Sequence, residues 1–318
     1  MSIIERALQR LKQEAAAAPA ERAKPPEPPY PPAGHQAEPR VDRPPQVKSA
    51  DVIRPMPCRS ERVVRIDLPT LRAAGVMPPE NEERRLAEEY RAIKRPLLKT
   101  MTGDDVLPLS NVVVVTSAVP GEGKTFTAIN LALSLALERN REVVLVDGDV
   151  AKRHITHLFR LNDEPGLLDA AGTAGRHLED VIVRTDLPSL YVLPAGSESV
   201  EATEILRSER LSALLASLAS EPRRIVLIDS SPLLLTSEAG VLAALAGQVI
   251  VVVKASGTPQ EAVVRAVESI REDKPVSFVL NQADLVPERG YGYYGEYGYG
   301  RSYGSNTTES PGGMASGS

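Results

Sequence analysis

The segment from residue 112 to residue 137 constrains the fold of this chain more than any other. A β-branched run, Val112 to Thr116, predicts a buried parallel strand. The glycine-bearing turn Pro120-Gly121-Glu122-Gly123 follows, and a helix with a regular apolar stripe is predicted to begin at Lys124-Thr125. Strand, glycine turn and helix in this order are the context that a phosphate-binding loop requires.

The residues of this turn and of the helix start are suited to bind phosphate. Backbone N–H groups and the positive end of the helix would face the β-phosphate, Lys124 would reach the β- and γ-oxygens, and the Thr125 hydroxyl would ligate Mg²⁺. The pattern G-x-x-x-x-G-K-[S/T] is met except at its first position, where Ala118 replaces glycine. A chance Gly-Lys-Thr in a loop is the alternative. We predict a nucleoside triphosphate site formed by Pro120, Gly121, Glu122, Gly123, Lys124, Thr125 and Phe126.

Composition divides the chain into ordered and low-complexity parts. Twelve of its 27 prolines lie between Pro19 and Pro57, where large apolar residues are almost absent. Such a stretch cannot bury enough apolar surface to offset its ordering entropy, which predicts a disordered or polyproline linker. From about residue 290 the chain is mostly Gly, Tyr, Ser and Asn. We therefore predict a short amphipathic helix at 1–18, a linker at 19–61, a nucleotide-binding domain at 62–288 and a flexible tail at 289–318.

Charge and cysteine content argue against several classes of protein. The net charge of −5 argues against a general nucleic-acid binder. One cysteine, Cys58, cannot form an internal disulfide or build a zinc site, which fits a reducing cytosol. Four scattered histidines suggest no metal cluster, and the longest apolar stretch, 241–253, falls short of the ~18 residues of a membrane helix. We expect a cytoplasmic protein that reaches the inner membrane only through a partner.

The first residues carry a separate signal. Ile3, Ile4, Ala7, Leu8 and Leu11 form one helical stripe. Isolated helices this short are marginal in water, so a fraying helix and a helix that docks on a partner or membrane both remain open.

The rest of the domain alternates apolar runs with helical patterns. Candidate strands are 142–146, 190–193, 224–228, 249–253 and 277–280. Helices are predicted over 201–218 and 259–270, and a charged helix over 81–95 is expected to end at Pro96. This alternation predicts an α/β fold of the P-loop NTPase type, with a mostly parallel sheet flanked by helices on both faces. Ligands then bind at the carboxyl ends of the strands.

Carboxylates follow two of these strands directly. Asp147 and Asp149 end one strand and Asp229 ends another. Buried carboxylates need compensation, and beside a phosphate loop Mg²⁺ would supply it. In phosphoryl transfer one carboxylate can also accept the proton of the attacking hydroxyl, for which Asp147 is the candidate, while Asp149 could instead cap a helix. Predicted catalytic residues are Lys124, Asp147, Asp149 and Asp229, and predicted Mg²⁺ ligands are Thr125, Asp149 and Asp229.

Asn281, at the end of the last strand, indicates the base. A guanine-reading loop would have Lys after the Asn, but Gln282 stands there. Recognition of adenine through the Asn281 amide is therefore favoured, and ATP is the predicted nucleotide.

The tail holds six of the nine tyrosines, Tyr291, Tyr293, Tyr294, Tyr297, Tyr299 and Tyr303. Glycine spacing keeps the phenols exposed, as an acceptor segment that enters an active site would need. At ~3.3 Å per residue, the chain from Leu285 to Tyr299 can span about 45 Å. That length allows a tail tyrosine to enter its own active site or, more easily, the active site of a neighbouring subunit. A low-complexity tail without enzymology is the alternative.

Together these motifs resemble the bacterial tyrosine kinases of exopolysaccharide systems, most closely the exosortase-associated tyrosine autokinases. The resemblance covers roughly residues 62–303 and the Met-Ser-Ile-Ile-Glu-Arg-Ala-Leu start. It rests on Pro-Gly-Glu-Gly-Lys-Thr (120–125), Val-Asp-Gly-Asp (146–149), Ile-Asp-Ser-Ser-Pro (228–232), Val-Leu-Asn (279–281) and the tyrosine cluster.

The resemblance implies autophosphorylation of the tail tyrosines, in trans within a ring oligomer. It also implies activation by a membrane chain-length-determinant protein (a polysaccharide co-polymerase), reversal by a tyrosine phosphatase, and control of polysaccharide polymerisation or export.

Carried over residue by residue, the family pattern assigns phosphate and Mg²⁺ to Lys124 and Thr125. Asp147 and Asp149 match the second aspartate motif, and Asp229 would orient Mg²⁺ through water. The ring-interface motif Glu-x-x-Arg-x-x-Arg aligns with Glu88, Arg91 and Lys94, with Arg95 next to the substituted last position. The arginine that usually follows the Asp-x-Asp motif is replaced by Ala151, with Lys152-Arg153 after it.

Two other functions are compatible with a phosphate loop. A ParA/MinD-like switch ATPase would carry a signature lysine at the position of Val119 and has no need of a tyrosine tail. A scaffold that only binds ATP would not need Lys124, Thr125 and three aspartates together.

Overall fold

The computed structural model describes Cys58 and residues 61–102, 106–271 and 273–283. The predicted N-terminal helix, most of the predicted linker and all six tail tyrosines lie outside these residues. Cys58, which the sequence analysis assigned to the linker, is half-buried against the domain, and its thiol donates a hydrogen bond to the Ile182 carbonyl at 2.8 Å.

Within the described residues eight strands form one sheet in the order β1-β4-β5-β3-β6-β2-β7-β8. Every neighbouring pair is parallel except β4 and β5. This confirms the predicted, mostly parallel sheet. The strands are β1 (Val63–Val64), β2 (Val112–Ser117), β3 (Glu142–Asp147), β4 (Val183–Thr185), β5 (Leu190–Leu193), β6 (Arg224–Asp229), β7 (Gln248–Lys254) and β8 (Val276–Asn281).

Helices cover both faces of the sheet, as predicted. They are α1 (Leu68–Ala73), α2 (Glu83–Thr100), α3 (Lys124–Ala136), α4 (His154–Leu158), α5 (Leu167–Gly172), α6 (Ala202–Leu206), α7 (Glu209–Ala219), α8 (Ser237–Leu245) and α9 (Gln260–Glu268). None of the helices in the described part of the chain is long and apolar enough to cross a membrane.

The expectation that Pro96 ends the charged helix is wrong, because α2 continues to Thr100. Proline removes one backbone N–H donor, a cost that burial in the core can outweigh. Leu97 is 2% exposed and Met101 is 8% exposed, and both belong to the core beneath α3. Tertiary packing therefore carries the helix past the proline.

The helix predicted over 201–218 is also corrected, since it is two helices, α6 and α7. Ser208 lies between them with extended backbone, and its hydroxyl accepts a hydrogen bond from the Leu211 N–H at 3.2 Å. This is a serine N-cap, which begins a new helix within what looked like one apolar pattern.

Alternate residues of the central strands enter different cores. Val113 and Val115 pack with α1, α2 and α3, whereas Val112 and Val114 pack with α5, α7 and α8. Side chains of a strand alternate between its faces, so continuous valine runs supply both cores at once. The parallel register brings the carboxyl ends of β2, β3, β6, β7 and β8 to one edge of the sheet.

Candidate active site

The phosphate loop joins the end of β2 to the start of α3. Gly121 and Gly123 have φ of 85° and 89°, a left-handed conformation that favours glycine. A Cβ on Gly123 would also lie 2.0 Å from the Asn281 Nδ2 atom. Ala118, at the first position of the motif, is fully buried and lies outside the left-handed region, so alanine is compatible with the loop.

Lys124, the first residue of α3, is 8% exposed. Its Nζ atom lies 3.3 Å from Asp149 Oδ2. Asp149 is 1% exposed, and its Oδ1 atom accepts a hydrogen bond from the Lys152 N–H at 3.3 Å. Asp149 thus accepts a bond within the turn before α4 and is not the N-cap of that helix, which is Arg153, and its Oδ2 atom lies beside Lys124 of the phosphate loop.

Thr125 is paired with the aspartate that ends β6. Its hydroxyl donates to Asp229 Oδ2 at 2.7 Å, and Asp229 is fully buried. Burial raises the pKa of Asp229 to about 7, although Lys124 and the Thr125 hydroxyl act in the opposite direction. The ionised form of this carboxylate is therefore costly unless a cation lies beside it.

Asp147, at the end of β3, is directly opposite Asp229 in the sheet register and is also fully buried. Its Oδ2 atom accepts hydrogen bonds from the Thr156 N–H at 2.8 Å and the Thr156 hydroxyl at 2.7 Å. Burial raises the pKa of Asp147 to about 6, against the effect of the Thr156 hydrogen bonds. This carboxylate is therefore more basic than an exposed one.

These residues fit Mg²⁺ that is shared with a triphosphate. Asp147 Oδ1 and Asp229 Oδ1 are buried without a hydrogen-bond partner, and Asp149 Oδ2 makes no hydrogen bond but lies 3.3 Å from Lys124 Nζ. No three His, Cys, Asp or Glu side chains of the described residues are arranged to enclose a metal by themselves. Mg²⁺ commonly takes one or two protein groups and completes its shell with phosphate oxygens and waters, so the donor set suits a nucleotide-borne ion.

A cleft of about 560 Å³ opens beside the phosphate loop. Gly121, Lys124 and Phe126 line one side, and the turn at 74–76 lines another. Lys152, His154 and His157 are also part of the lining. Burial and the nearby Lys124 hold the pKa of His154 below its ordinary value, so this imidazole is neutral at pH 7 and can donate or accept a hydrogen bond.

Comparison with known proteins places this site in a family. A family model described as an AAA domain matches residues 110–276, just over half of the chain. EpsB of Ralstonia solanacearum is 30% identical over 207 residues, which cover 64% of this chain and 27% of that protein. The tyrosine-protein kinase YwqD of Bacillus subtilis is 30% identical over 185 residues, 58% of this chain and 77% of YwqD. The chain belongs to the bacterial tyrosine kinases.

A solved structure agrees with this assignment. The crystal structure of the VpsO kinase domain is 28% identical to the chain, with a TM-score of 0.53 over 65% of this chain and all of that domain. This bacterial tyrosine-kinase chain nevertheless spans only about a quarter of the length of EpsB.

Two departures of this kinase chain from the family pattern have a structural outcome. Arg153, which follows Ala151 and Lys152, is buried and directs its guanidinium to the Asn162 carbonyl at 3.3 Å and to Glu198 at 3.4 Å. Lys152 instead lines the cleft. After the aspartate motif, Lys152 and not an arginine therefore lines the cleft in this chain, in addition to Lys124 of the phosphate loop.

The four residues of the predicted oligomer interface do not all lie on the surface of the domain. Glu88 and Arg91 form an ion pair with each other on the exposed side of α2, and Arg95 is exposed as well. Lys94 is 8% exposed and faces its own domain, where it donates to the Ser134 carbonyl at 2.9 Å and pairs with Glu138 at 2.6 Å. Of the four residues, Lys94 is thus engaged within its own subunit.

The sequence predicted that Lys124, Thr125 and the three aspartates lie close together, and in the structure they do. Sequence reasoning missed Thr156, which holds Asp147, and the cleft residues His154, His157 and Gly75. No motif singles these residues out, because their proximity to the loop depends on the path of α4 and of the turn after α1.

Proposed function

We propose that this chain is an ATP-dependent protein-tyrosine kinase that phosphorylates its own tail. The proposed acceptors are Tyr291, Tyr293, Tyr294, Tyr297, Tyr299 and Tyr303. The observation that carries the proposal is the convergence of Lys124, Thr125 and three buried aspartates beside a cleft of nucleotide size. The likeness to YwqD, a tyrosine-protein kinase, supports the choice among P-loop functions.

The reaction transfers the γ-phosphoryl group from ATP to a phenol. The tyrosine oxygen forms the new bond to phosphorus, the bond to the β–γ bridging oxygen breaks, and ADP leaves. Lys124 and the loop N–H groups would hold the β- and γ-oxygens, where charge spreads in the transition state. Asp147 would accept the phenol proton, because its free Oδ1 atom and its raised pKa suit a general base.

Thr125, Asp149 and Asp229 would hold Mg²⁺, which when bound neutralises charge on the phosphates. In the structure Thr125 and Lys124 each contact one of these aspartates. Binding of nucleotide would exchange these contacts for contacts to phosphate.

We also propose the setting in which the kinase works. Transfer would occur in trans between subunits of a ring, with Glu88, Arg91 and Arg95 on the contact surface. A membrane chain-length-determinant protein would activate the kinase at the cytoplasmic face of the inner membrane, a tyrosine phosphatase would reverse it, and the cycle would control exopolysaccharide polymerisation or export. The exposure of Glu88, Arg91 and Arg95 supports a contact surface on α2, and the names of EpsB and YwqD as tyrosine-protein kinases support the kinase part of this setting.

The deciding experiment measures phosphate on the tail. Purified protein is incubated with Mg-ATP, and its intact mass and tail peptides are analysed beside Lys124→Met. An exposed lysine on α2 gives a matched control, Lys99→Met. Phosphate at residues 291–303 is expected in the wild type and in Lys99→Met, and is expected to be absent in Lys124→Met.

Two results would contradict the proposal. ATP turnover without phosphotyrosine would indicate a switch ATPase of the ParA/MinD type. Binding of Mg-ATP without either turnover or transfer, with the membrane partner added, would indicate a scaffold that only binds nucleotide.

A further inference from the structure

Glu122 is a loop residue that the phosphate chemistry does not use. It is 1% exposed and lies between the two left-handed glycines. A buried carboxylate needs partners, and this one finds them on another part of the sheet. Its Oε2 atom accepts a hydrogen bond from the Val119 N–H at 2.7 Å, within the loop itself.

The second oxygen of Glu122 reaches the turn after β7. Oε1 accepts a hydrogen bond from the Thr258 hydroxyl and a longer one from the Lys254 N–H at 3.4 Å. Neither Thr258 nor Lys254 lines the nucleotide cleft. One side chain therefore joins the phosphate loop to a turn 132 residues further along the chain.

The end of β8 contacts the same loop from the same direction. The Asn281 amide donates to the Glu122 carbonyl at 2.9 Å, and the Gln282 amide donates to the Gly121 carbonyl at 3.1 Å. These two bonds use carbonyls of the loop and not its N–H groups, which are the groups that bind an anion. The absence of a side chain on Gly123 is what lets Asn281 approach so closely.

We infer that Glu122 and Asn281 are positioning residues, which hold the phosphate loop in its binding shape by anchoring it to the ends of β7 and β8. The Asn281 amide then acts on the loop, and hence on the phosphates, rather than on the adenine base alone. The inference rests on the nucleotide-binding part of the proposed function and not on phosphate transfer.

A ligand that has phosphates but no base can distinguish an effect of Asn281 on phosphate binding from an effect on base recognition. Mg-ATP and Mg-tripolyphosphate are titrated by calorimetry into the wild type and Asn281→Ala. The loss of one hydrogen bond that orders the loop is expected to weaken both ligands about 5- to 10-fold. Weakening of Mg-ATP with tripolyphosphate unaffected would overturn the inference and assign Asn281 to the adenine.

A second variant changes an anchor residue that does not line the nucleotide cleft. Thr258→Val removes a partner of Glu122 and is expected to weaken both ligands about 3- to 5-fold. Thr203→Val is the matched control, because Thr203 also donates its hydroxyl to a carboxylate, Glu238, and does not line the cleft. Melting temperatures are measured for all variants, so that a loss of fold is separated from a loss of affinity.

Equal affinities for Thr258→Val and Thr203→Val would overturn the inference. Failure here is also distinct from failure of the proposed function. A switch ATPase with this anchor would show the expected binding losses but would place no phosphate on its tail. An autokinase without this anchor would phosphorylate its tail but would show no binding losses in these variants.

Discussion

Single residues at the active site are arranged for chemistry at the expense of stability. Asp147 and Asp229 lie side by side at the ends of β3 and β6, both fully buried. Each carries a carboxylate oxygen without a hydrogen-bond partner, which a fold selected only for stability would avoid. The free energy of unfolding should therefore report on these charges.

Asp229→Asn is expected to stabilise the protein at high pH. Burial raises the pKa of Asp229 to about 7, so the folded state binds a proton that the unfolded state has lost above its ordinary, lower pKa. Relative to the ionised carboxylate, the neutral carboxyl contributes stability that is fully present below the ordinary carboxyl pKa and is lost progressively as the pH rises from there through about 7. Without Mg²⁺ or nucleotide, the variant should melt at least about 3 °C above the wild type at pH 8, with a smaller gap at pH 5.

Asp163→Asn provides the control for this titration, because Asp163 is exposed. Its melting temperature should differ from the wild type by the same small amount at both pH values. A gap for Asp229→Asn that is unchanged or larger at pH 5 would contradict the assignment of the raised pKa.

The sequence could predict site residues that belong to local motifs, but not contacts between residues far apart in the chain. Lys124 and Thr125 belong to a local motif, and the aspartates directly follow apolar runs, so both could be found without coordinates. The Glu122–Thr258 contact joins residues 136 apart, and no local pattern encodes it. The contact of the Asn281 amide with the loop was not predictable either, because it depends on how β8 lies in the sheet, and recognition of adenine by this amide stays a prediction.

At the scale of elements, α2 shows how packing overrides a local rule. Proline stops most helices, yet α2 passes Pro96 because Leu97 and Met101 beyond it are buried in the core that also contains α3. The same packing turns Lys94 inward. The long apolar strands were predictable, whereas β1 and β4, of two and three residues, are too short to show a period.

Lys94→Ala and Arg95→Ala should separate stability from assembly. Lys94→Ala removes a buried stem and a hydrogen bond to the Ser134 carbonyl, and is expected to lower the free energy of unfolding by about 1–2 kcal/mol. Arg95→Ala, on the exposed side, should change it by less than about 0.5 kcal/mol and should weaken self-association.

Urea unfolding and analytical sizing measure these two properties. If Arg95→Ala assembled like the wild type, Arg95 would be removed from the proposed interface. If Lys94→Ala were as stable as the wild type, the inward contact of Lys94 would contribute nothing to folding.

At the scale of the whole molecule, the sheet order collects residues from the ends of four strands at one edge. The phosphate loop, the three aspartates and Asn281 come from segments up to about 160 residues apart, and parallel pairing alone brings them together. The fold class was predictable because alternating strands and helices allow few other arrangements. The tail tyrosines lie outside the described residues, so their role stays a prediction from sequence.

Phosphorylation of the tail is expected to loosen any ring. Each phosphate adds about −1.5 to −2 charges, so six would add roughly nine to twelve negative charges to neighbouring acceptor segments. The phosphorylated form and the same protein after phosphatase treatment are compared by size-exclusion chromatography with light scattering. The phosphorylated form should have the lower mass.

A variant with all six tail tyrosines changed to Phe should keep the larger mass after incubation with ATP. Identical masses for the phosphorylated and dephosphorylated protein would rule out charge repulsion as the cause of disassembly.

The contacts of Lys124 with Asp149 and of Thr125 with Asp229 have a consequence for the binding of Mg-ATP. A phosphate ion alone can compensate the lysine but leaves Asp149 and Asp229 as uncompensated anions, and a magnesium ion alone compensates the aspartates but leaves the lysine unmatched. Only their complex replaces both contacts at once. If Mg-ATP binds as proposed, Mg²⁺ and the phosphates should each raise the affinity of the site for the other by the same factor.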